Sequence, residues 1–454
     1  MTISLPDSRT RTDRLVGLDR KHIVHPNLHG SIDDRCVIVK GEGCRLWDTD
    51  GTEYLDGTGG LWLVQVGHGR TEIADVASQQ MRELGYFTSF WEFSNDKSIE
   101  LAEKLVDIVP GDMARVQYTS GGSESNESAI KAARLFHFRR GNPERTWILS
   151  RRQAYHGVGY GSGAATGLED YHHGFGPALP GFVHLSAPDP YHTEAYDGLD
   201  ATDFLVAELE DTIAKVGAEN IAAMIAEPIM GAGGMIIPPA DYWPRMRNVL
   251  RQNNILMIAD EVVTGFGRTG EWFASDIMEP DMVVLAKGIT SGYMPLGAVL
   301  MTEEIGAVIA GGDGFHHGFT YFGHPVSCAV ALENIAILER EHLPAVAKAK
   351  ESLLLAELAP LLDNPLVGDI RGRGMCAGIE LVTDKESRTP FSFVVGKGLE
   401  DVLRREHHVI ARQAGSVLAV SPPLVMSEIE LAHLGAALRD AVGRLQPDGS
   451  IATG

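Results

Sequence analysis

The chain has little of what would mark it for several common roles. Its 454 residues hold only four cysteines, Cys36, Cys44, Cys328 and Cys376. They form no CxxC pair and no metal-ligand spacing, which speaks against a disulfide-stapled secreted domain or a zinc module. Basic residues are outnumbered by acidic ones, 39 to 61, for a formal net charge of -22. A surface of that sign excludes nucleic acid and anionic membranes as expected partners. No uninterrupted apolar run is long enough to span a bilayer, and the start, MTISLPDSRTRTDRL, lacks the apolar stretch of a signal peptide. There is no HExxH. The histidine doublets at 172–173, 316–317 and 407–408 place neighbours on different faces, so they read as surface or structural groups, and no metal is expected. No internal repeat or low-complexity tract interrupts the chain. What remains is the expectation of a cytoplasmic enzyme of two or three domains.

What is present is a series of short apolar runs that each end in a functional group. Ile255 to Ala259 is followed by Asp260 and Glu261, and Met282 to Ala286 is followed by Lys287 and Gly288. A lysine emerging from an apolar run has its ammonium form disfavoured by burial, which makes the neutral, nucleophilic amine accessible and suits it to a Schiff base with an aldehyde. An acid at the end of a neighbouring strand can hold a protonated pyridine nitrogen. Together they are the two protein groups that a pyridoxal-phosphate site requires. A structural ion pair is the alternative reading of the same two residues.

The rest of the chain bears on that choice. After a polar, loosely ordered lead, Cys36–Lys40, Arg45–Trp47 and Glu53–Leu55 read as a small antiparallel meander turning at 48–51. The glycine-rich stretch 57–60 leads to Trp62, either a pocket wall or a core aromatic. Ser94 is positioned to cap a helix with Ile99, Leu101, Leu105 and Ile108 at helical spacing, ended by Pro110. Arg115–Thr119 reads as a strand, and Gly121, Gly122 and Ser123 follow before a helix to about Arg139; strand, glycine turn and helix start is a geometry that receives a phosphate. The turn lacks the lysine of a P-loop, which lowers the nucleotide alternative. Trp147–Ser150 precedes Tyr155, which can stack on a flat ring or sit in the core. Ile221–Ala226 carries Glu227 at its end. Strands alternating with helices indicate a mostly parallel sheet with ligands outside the carboxyl ends of its strands, where Asp260 and Lys287 also lie. A strand at Ala298–Met301 and a long helix from about Val326 follow. From about Ala345 a smaller α+β unit begins, with strands near 369–373, 376–381, 409–412 and 417–420. Arg412, at the end of one of them, can clasp a carboxylate with two hydrogen bonds.

These residues resemble a known family. SGGSESNESAIKAAR (120–134), YHG (155–157), EPIMGAGG (227–234), DEVVTGFGRTG (260–270), AKGIT (286–290), HGFTYFGHP (317–325) and Arg412 followed by PPL (422–424) are similar to class III, ω-type aminotransferases of PLP fold type I. The resemblance runs from about residue 30 to the C-terminus. It implies an α/β large domain over 65–328 with a mostly parallel central sheet, a smaller α+β domain over 329–454, and an N-terminal segment, 1–64, joining the small domain. It implies pyridoxal 5'-phosphate as cofactor and a homodimer, with a tetramer as the larger alternative. Residue by residue, it makes Lys287 the Schiff-base lysine and proton shuttle and Asp260 the partner of the pyridine nitrogen. Tyr155 and Val262 would sandwich the ring, Gly121, Gly122 and Ser123 would hold the phosphate, and Thr320 would reach it from the other subunit. Glu227 would lie near the ring, Trp62 would line the substrate pocket, and Arg412 would grip the α-carboxylate. Members acting on 4-aminobutyrate or ornithine carry a Glu where this chain has Ala232, which tilts the reading toward amine:pyruvate-type enzymes. The implied reaction is ping-pong transfer of an amino group from an amine or ω-amino acid to a keto acid, with pyruvate expected. An aminomutase or decarboxylase of the same fold, or a non-catalytic PLP-fold protein, are the alternatives.

Overall fold

Apolar runs that end in one charged residue become the strands of a central sheet. The computed structural model describes residues 8–27, 35–391 and 393–452. The meander forms as β1 (Ile38–Glu42), β2 (Arg45–Asp48) and β3 (Glu53–Asp56). The central sheet contains β4 (Met113–Thr119), β5 (Trp147–Arg151), β6 (Phe182–Leu185), β7 (Ile221–Ala226), β8 (Leu256–Asp260), β9 (Met282–Leu285) and β10 (Gly297–Thr302). Its seven strands run in the order β4-β10-β9-β8-β7-β5-β6. Strand β10 is antiparallel to both β4 and β9, and the pairs from β9 through β6 are parallel. β7 is buried at all of its positions, as a strand covered on both faces must be. Because β4 shares the direction of the parallel set, the chain leaves β4, β5, β7, β8 and β9 at one edge of the sheet.

The C-terminal unit holds β11 (Val367–Gly372), β12 (Ala377–Asp384), β13 (Thr389–Pro390), β14 (Val409–Ile410), β15 (Arg412–Ala414) and β16 (Val417–Val420). The run expected as one strand over 409–412 divides. Val409 and Ile410 pair in parallel with β3, whereas Arg412–Ala414 pairs antiparallel with β16. A period-2 pattern cannot reveal that switch of partner, because both pieces bury alternate residues. Through β14 the N-terminal meander becomes part of a sheet shared with the C-terminal region. Two further expectations are corrected. The lead carries a helix, Ser8–His22, anchored by Thr12 to Thr49 and Asp50 and ending in Arg20, Lys21 and His22, which suit its negative terminus; residues 1–7 lie outside the described residues. The helix Asp96–Ile108 is capped by Asn95, whose side chain accepts from Ser98 N, not by Ser94.

The loop before the helix Ala201–Val216 meets the C-terminal sheet through charge. His192 lies 2.7 Å from Glu194 and 4.0 Å from Glu380. Arg371 lies 2.6 Å from Glu380 and donates to Gly234 O at 2.9 Å. Glu380 foremost, with Glu194 and Asp189, pushes His192 up to about 9 against the opposing effect of its burial. Burial alone would raise Glu380, but His192, Arg371 and Ser416 hold it down at about 2. The raised histidine stabilises the fold fully below its unfolded value of about 6.5, and that contribution is lost as pH rises through about 9. The depressed glutamate contributes above its unfolded value of about 4.3 and is lost only as pH falls through about 2. The melting temperature should therefore decline between about pH 7 and 9.5, and His192→Gln should flatten that decline. Calorimetry of both proteins across that range checks it; parallel curves would mean the histidine carries none of the alkaline loss.

Candidate active site

Five segments converge where the chain leaves the sheet. Asp260 closes β8, and its neighbour in register on β9 is Val284, so Lys287 emerges just beyond on the adjacent strand. Lys287 keeps a partial opening, and no hydrogen bond to its Nζ is formed among the described residues. Its partial burial nonetheless pushes its ammonium down to about 8. Asp260 and Glu227 oppose the shift, while Arg412 and Arg268 add to it. The backbone of Lys287 is left-handed, with φ +47, a conformation that a residue with a Cβ adopts only where its surroundings hold it.

Asp260 is buried in a collar of donors. Its Oδ2 lies 2.8 Å from His156 Nδ1 and 2.8 Å from Asn126 Nδ2, and its Oδ1 accepts from Val262 N at 3.1 Å. Asn126 also donates to His156 O at 2.6 Å, so the amide joins the acid and the 155–157 loop. Neither His156 nor Asn126 stood out in the sequence as an orienting group. The one signal is that Ser125, Asn126 and Ser128 are polar, and all are buried on a helix face where apolar residues would be expected.

The glycine turn starts the helix Gly122–Arg139. A Cβ on Gly122 would lie 3.2 Å from both methyls of Val262, so glycine lets the helix start approach the Asp260 turn. The first N–H groups of a helix have no partner within it. Ser123 Oγ accepts from Val158 N at 3.3 Å, which leaves its own hydrogen available to a ligand. Tyr155 is half-buried, packs edge-on against Tyr171 and is fixed through its N–H, which Glu227 Oε1 accepts at 3.1 Å. Glu227 Oε2 accepts from Gly231 N at 3.0 Å, so this buried acid ties the Tyr155 loop to the turn after β7. Burial raises its pKa.

The remaining expected residues occupy the margins. Trp62 is buried with φ +62, packs with Ile229, Met235 and Val263, and its Nε1 has no partner among the described residues. A Cβ on Gly231 would come within 2.4 Å of its ring, so the glycine admits the indole. Arg412 is half-buried and its guanidinium forms no hydrogen bond or ion pair among the described residues, yet its charge is felt at Lys287 and Tyr155. Thr320 is exposed, and its carbonyl accepts from Tyr86 Oη at 2.7 Å. Arg268, fully buried, donates to the carbonyls of Met375 and Pro422 and to Gln65, tying the 265–270 turn to the C-terminal unit. Burial pushes its guanidinium down to about 10.

This donor set fits pyridoxal phosphate. A desolvated lysine, a carboxylate with its orienting donors already in place, and a helix start that glycine keeps close to the acid match an aldehyde, a pyridine nitrogen and a phosphate in turn. Comparison with known proteins agrees. The family Aminotransferase class-III matches residues 29–442. The putrescine–pyruvate aminotransferase of Pseudomonas aeruginosa is 42% identical over 406 residues, 88% of this chain and 88% of that protein. The diaminobutyrate–2-oxoglutarate transaminase of Halomonas elongata is 36% identical, over 95% of this chain and 96% of that one. A thermostable (S)-enantioselective omega-transaminase from Thermomicrobium roseum superposes with a TM-score of 0.92 at 45% identity, covering 95% of this chain and 98% of that one. An omega transaminase from Pseudomonas jessenii, in complex with PMP, superposes with a TM-score of 0.91 at 37% identity, covering 94% and 97%. The chain belongs to the class-III aminotransferases, of PLP fold type I. It is a pyridoxal-phosphate enzyme that moves an amino group from an amine to a keto acid, and nothing favours an aminomutase or a decarboxylase.

Proposed function

We propose that the donors are monoamines and short diamines, and that pyruvate is the acceptor. The observation that carries this is Arg412, a half-buried guanidinium with no ion pair among the described residues, whose charge reaches Lys287 and Tyr155. A free guanidinium suits the carboxylate of a small keto acid. Ala232 supplies no acid to neutralise it, and the Pseudomonas aeruginosa relative is named for putrescine and pyruvate.

In this reading Lys287 Nζ would hold the cofactor and, once free, would carry a proton from the donor carbon to the cofactor in the first half of the reaction and from the cofactor to the acceptor carbon in the second. An amine held near pKa 8 is available in both protonation states near neutral pH. Asp260, oriented by His156 and Asn126, holds the ring nitrogen protonated; Tyr155 and Val262 flank the ring, and Gly121, Gly122 and Ser123 hold the phosphate. Glu227 keeps Tyr155 in place, and Trp62 walls the substrate side. When bound, the cofactor keeps the amino group between the two halves of the reaction and withdraws electrons from the reacting carbon. The working unit is a homodimer in which Thr320 completes the partner's phosphate site; its exposure in the single chain supports that role. The units 1–64, 65–328 and 329–454 divide the labour between substrate selection and cofactor binding. A cytoplasmic location suits four cysteines that carry no disulfide.

The test is a donor panel. With pyruvate as acceptor, putrescine and simple primary amines should each yield alanine, while 4-aminobutyrate and ornithine should be the poorer donors. Exclusive use of ω-amino acids, or 2-oxoglutarate strongly preferred over pyruvate, would overturn the proposal.

A further inference from the structure

Lys287 sits in a strained turn, and something must hold it there. Beyond the lysine, Ser291 is also left-handed at φ +49, so the segment has two non-glycine residues in that region. The turn is closed locally by Ile289 N to Ala286 O at 3.1 Å and Thr290 N to Lys287 O at 3.2 Å. On one side it rests against Gln65 and Phe266, so closely that a Cβ on Gly288 would lie 2.5 Å from Gln65 Nε2. On the other side stands the helix Pro325–Arg340, which presents Asn334. This side chain is fully buried, and its Nδ2 donates to Gly288 O at 2.9 Å and to Ile289 O at 3.1 Å. An amide nitrogen has two hydrogens, and both are given to the carbonyls just after the lysine. Asn334 Oδ1 has no partner among the described residues, so every hydrogen bond its side chain makes there serves this turn.

We propose that Asn334 is a positioning residue for Lys287: by donating to Gly288 O and Ile289 O it locks the left-handed turn that aims the amine. The inference rests on the reading of Lys287 as the lysine that carries the cofactor. Asn334→Asp tests it with almost no change of shape. A carboxylate would set its lone pairs against two carbonyl oxygens, so the grip becomes a repulsion and the turn shifts. Asn334→Ser is the second variant: a shorter side chain with one hydrogen to donate fits the same space and preserves at most part of the grip.

Both variants should be purified as holoenzymes and compared with wild type by steady-state kinetics, by the pH titration of the visible absorbance of the lysine-linked cofactor, and by melting. Asn334→Asp should lower kcat by about 10- to 100-fold while the amine KM stays within about threefold, as small misplacements of a reacting group do. The midpoint of the absorbance titration should move by about half a pH unit or more, because the amine changes its surroundings. Asn334→Ser should fall between the two, and it carries the test alone if Asn334→Asp does not fold. A lower melting temperature with wild-type kcat and an unmoved midpoint in a folded variant would show that the amide merely supports the core, and would overturn the proposal. Lys287→Ala separates the two readings. If that variant keeps the lysine-linked absorbance, the assignment of Lys287 itself fails; if it loses the absorbance while Asn334→Asp behaves as wild type, only the role of Asn334 fails.

Discussion

Lys287→Ala is expected to lower turnover by at least about four orders of magnitude, the scale on which removal of an essential nucleophile is felt. No other described lysine leaves a central-sheet strand beside Asp260, so nothing can substitute for it. The variant should still fold. Lys287 forms no hydrogen bond through Nζ among the described residues, and the turn that carries it is held by Asn334 and Gln65 through other atoms. The electrostatics point the same way. Its pKa is depressed to about 8, below the unfolded value of about 10.4, so the folded chain binds its proton less well. That opposes folding fully below about pH 8, and the penalty fades as pH rises toward 10.4. Removing the amine should therefore not lower the melting temperature of the cofactor-free protein at pH 7. Steady-state rates, cofactor absorbance and light scattering together check this. Multiple turnovers at near wild-type rate would remove Lys287 from the chemistry.

Arg412→Ala should divide the reaction into an affected and an unaffected half. Truncating one partner of a desolvated, bidentate charge pair costs about 2–5 kcal/mol, and keto-acid use should weaken by that amount. A monoamine has no carboxylate to lose, so its half-reaction should change little. Among the described residues the guanidinium forms no ion pair, so its removal breaks none. Single-turnover spectroscopy separates the halves: amine alone in one direction, pyruvate alone in the other. Equal losses in both, or none with pyruvate, would mean that the acceptor is held elsewhere and that Arg412 serves the local electrostatics.

Much of this was legible in the residues because a parallel sheet writes its function at one edge. The run Ile221–Ala226 is a strand with those bounds; Glu227 follows it directly, Asp260 is the last residue of its strand, and Lys287 lies two residues past the end of β9. The glycine turn before residue 123 likewise announced a helix start. What escaped were groups that work through a second residue. Asn126, His156 and Asn334 each satisfy a buried acceptor brought near by the fold, from 134, 104 and 46 or 45 positions away, and no local period marks such partners. The neighbouring capping choice, Asn95 over Ser94, turned on one residue of backbone geometry, which composition does not resolve. The split of 409–412 between two sheets was hidden because pairing partner, not pattern, decides it.

The single reversed strand, β10, has a consequence for the order in which the molecule assembles. Because β10 runs back along β9, pairing Ala298 with Leu285 and Met301 with Met282, the lysine lies in the connection of one antiparallel pair. A parallel successor would have required a crossover to the far edge of the sheet before the chain returned. Closing this short connection costs little chain entropy, although the turn inside it is held by Asn334 from a later helix. Arg412 arrives by a different route: its strand is fixed by β16, and the adjoining β14 must find β3, near the beginning of the chain. Long-range closures of that kind come late in folding. The strand that leads into the lysine loop is thus paired with its immediate successor in the chain, whereas the strands around Arg412 depend in part on a partner near residue 55.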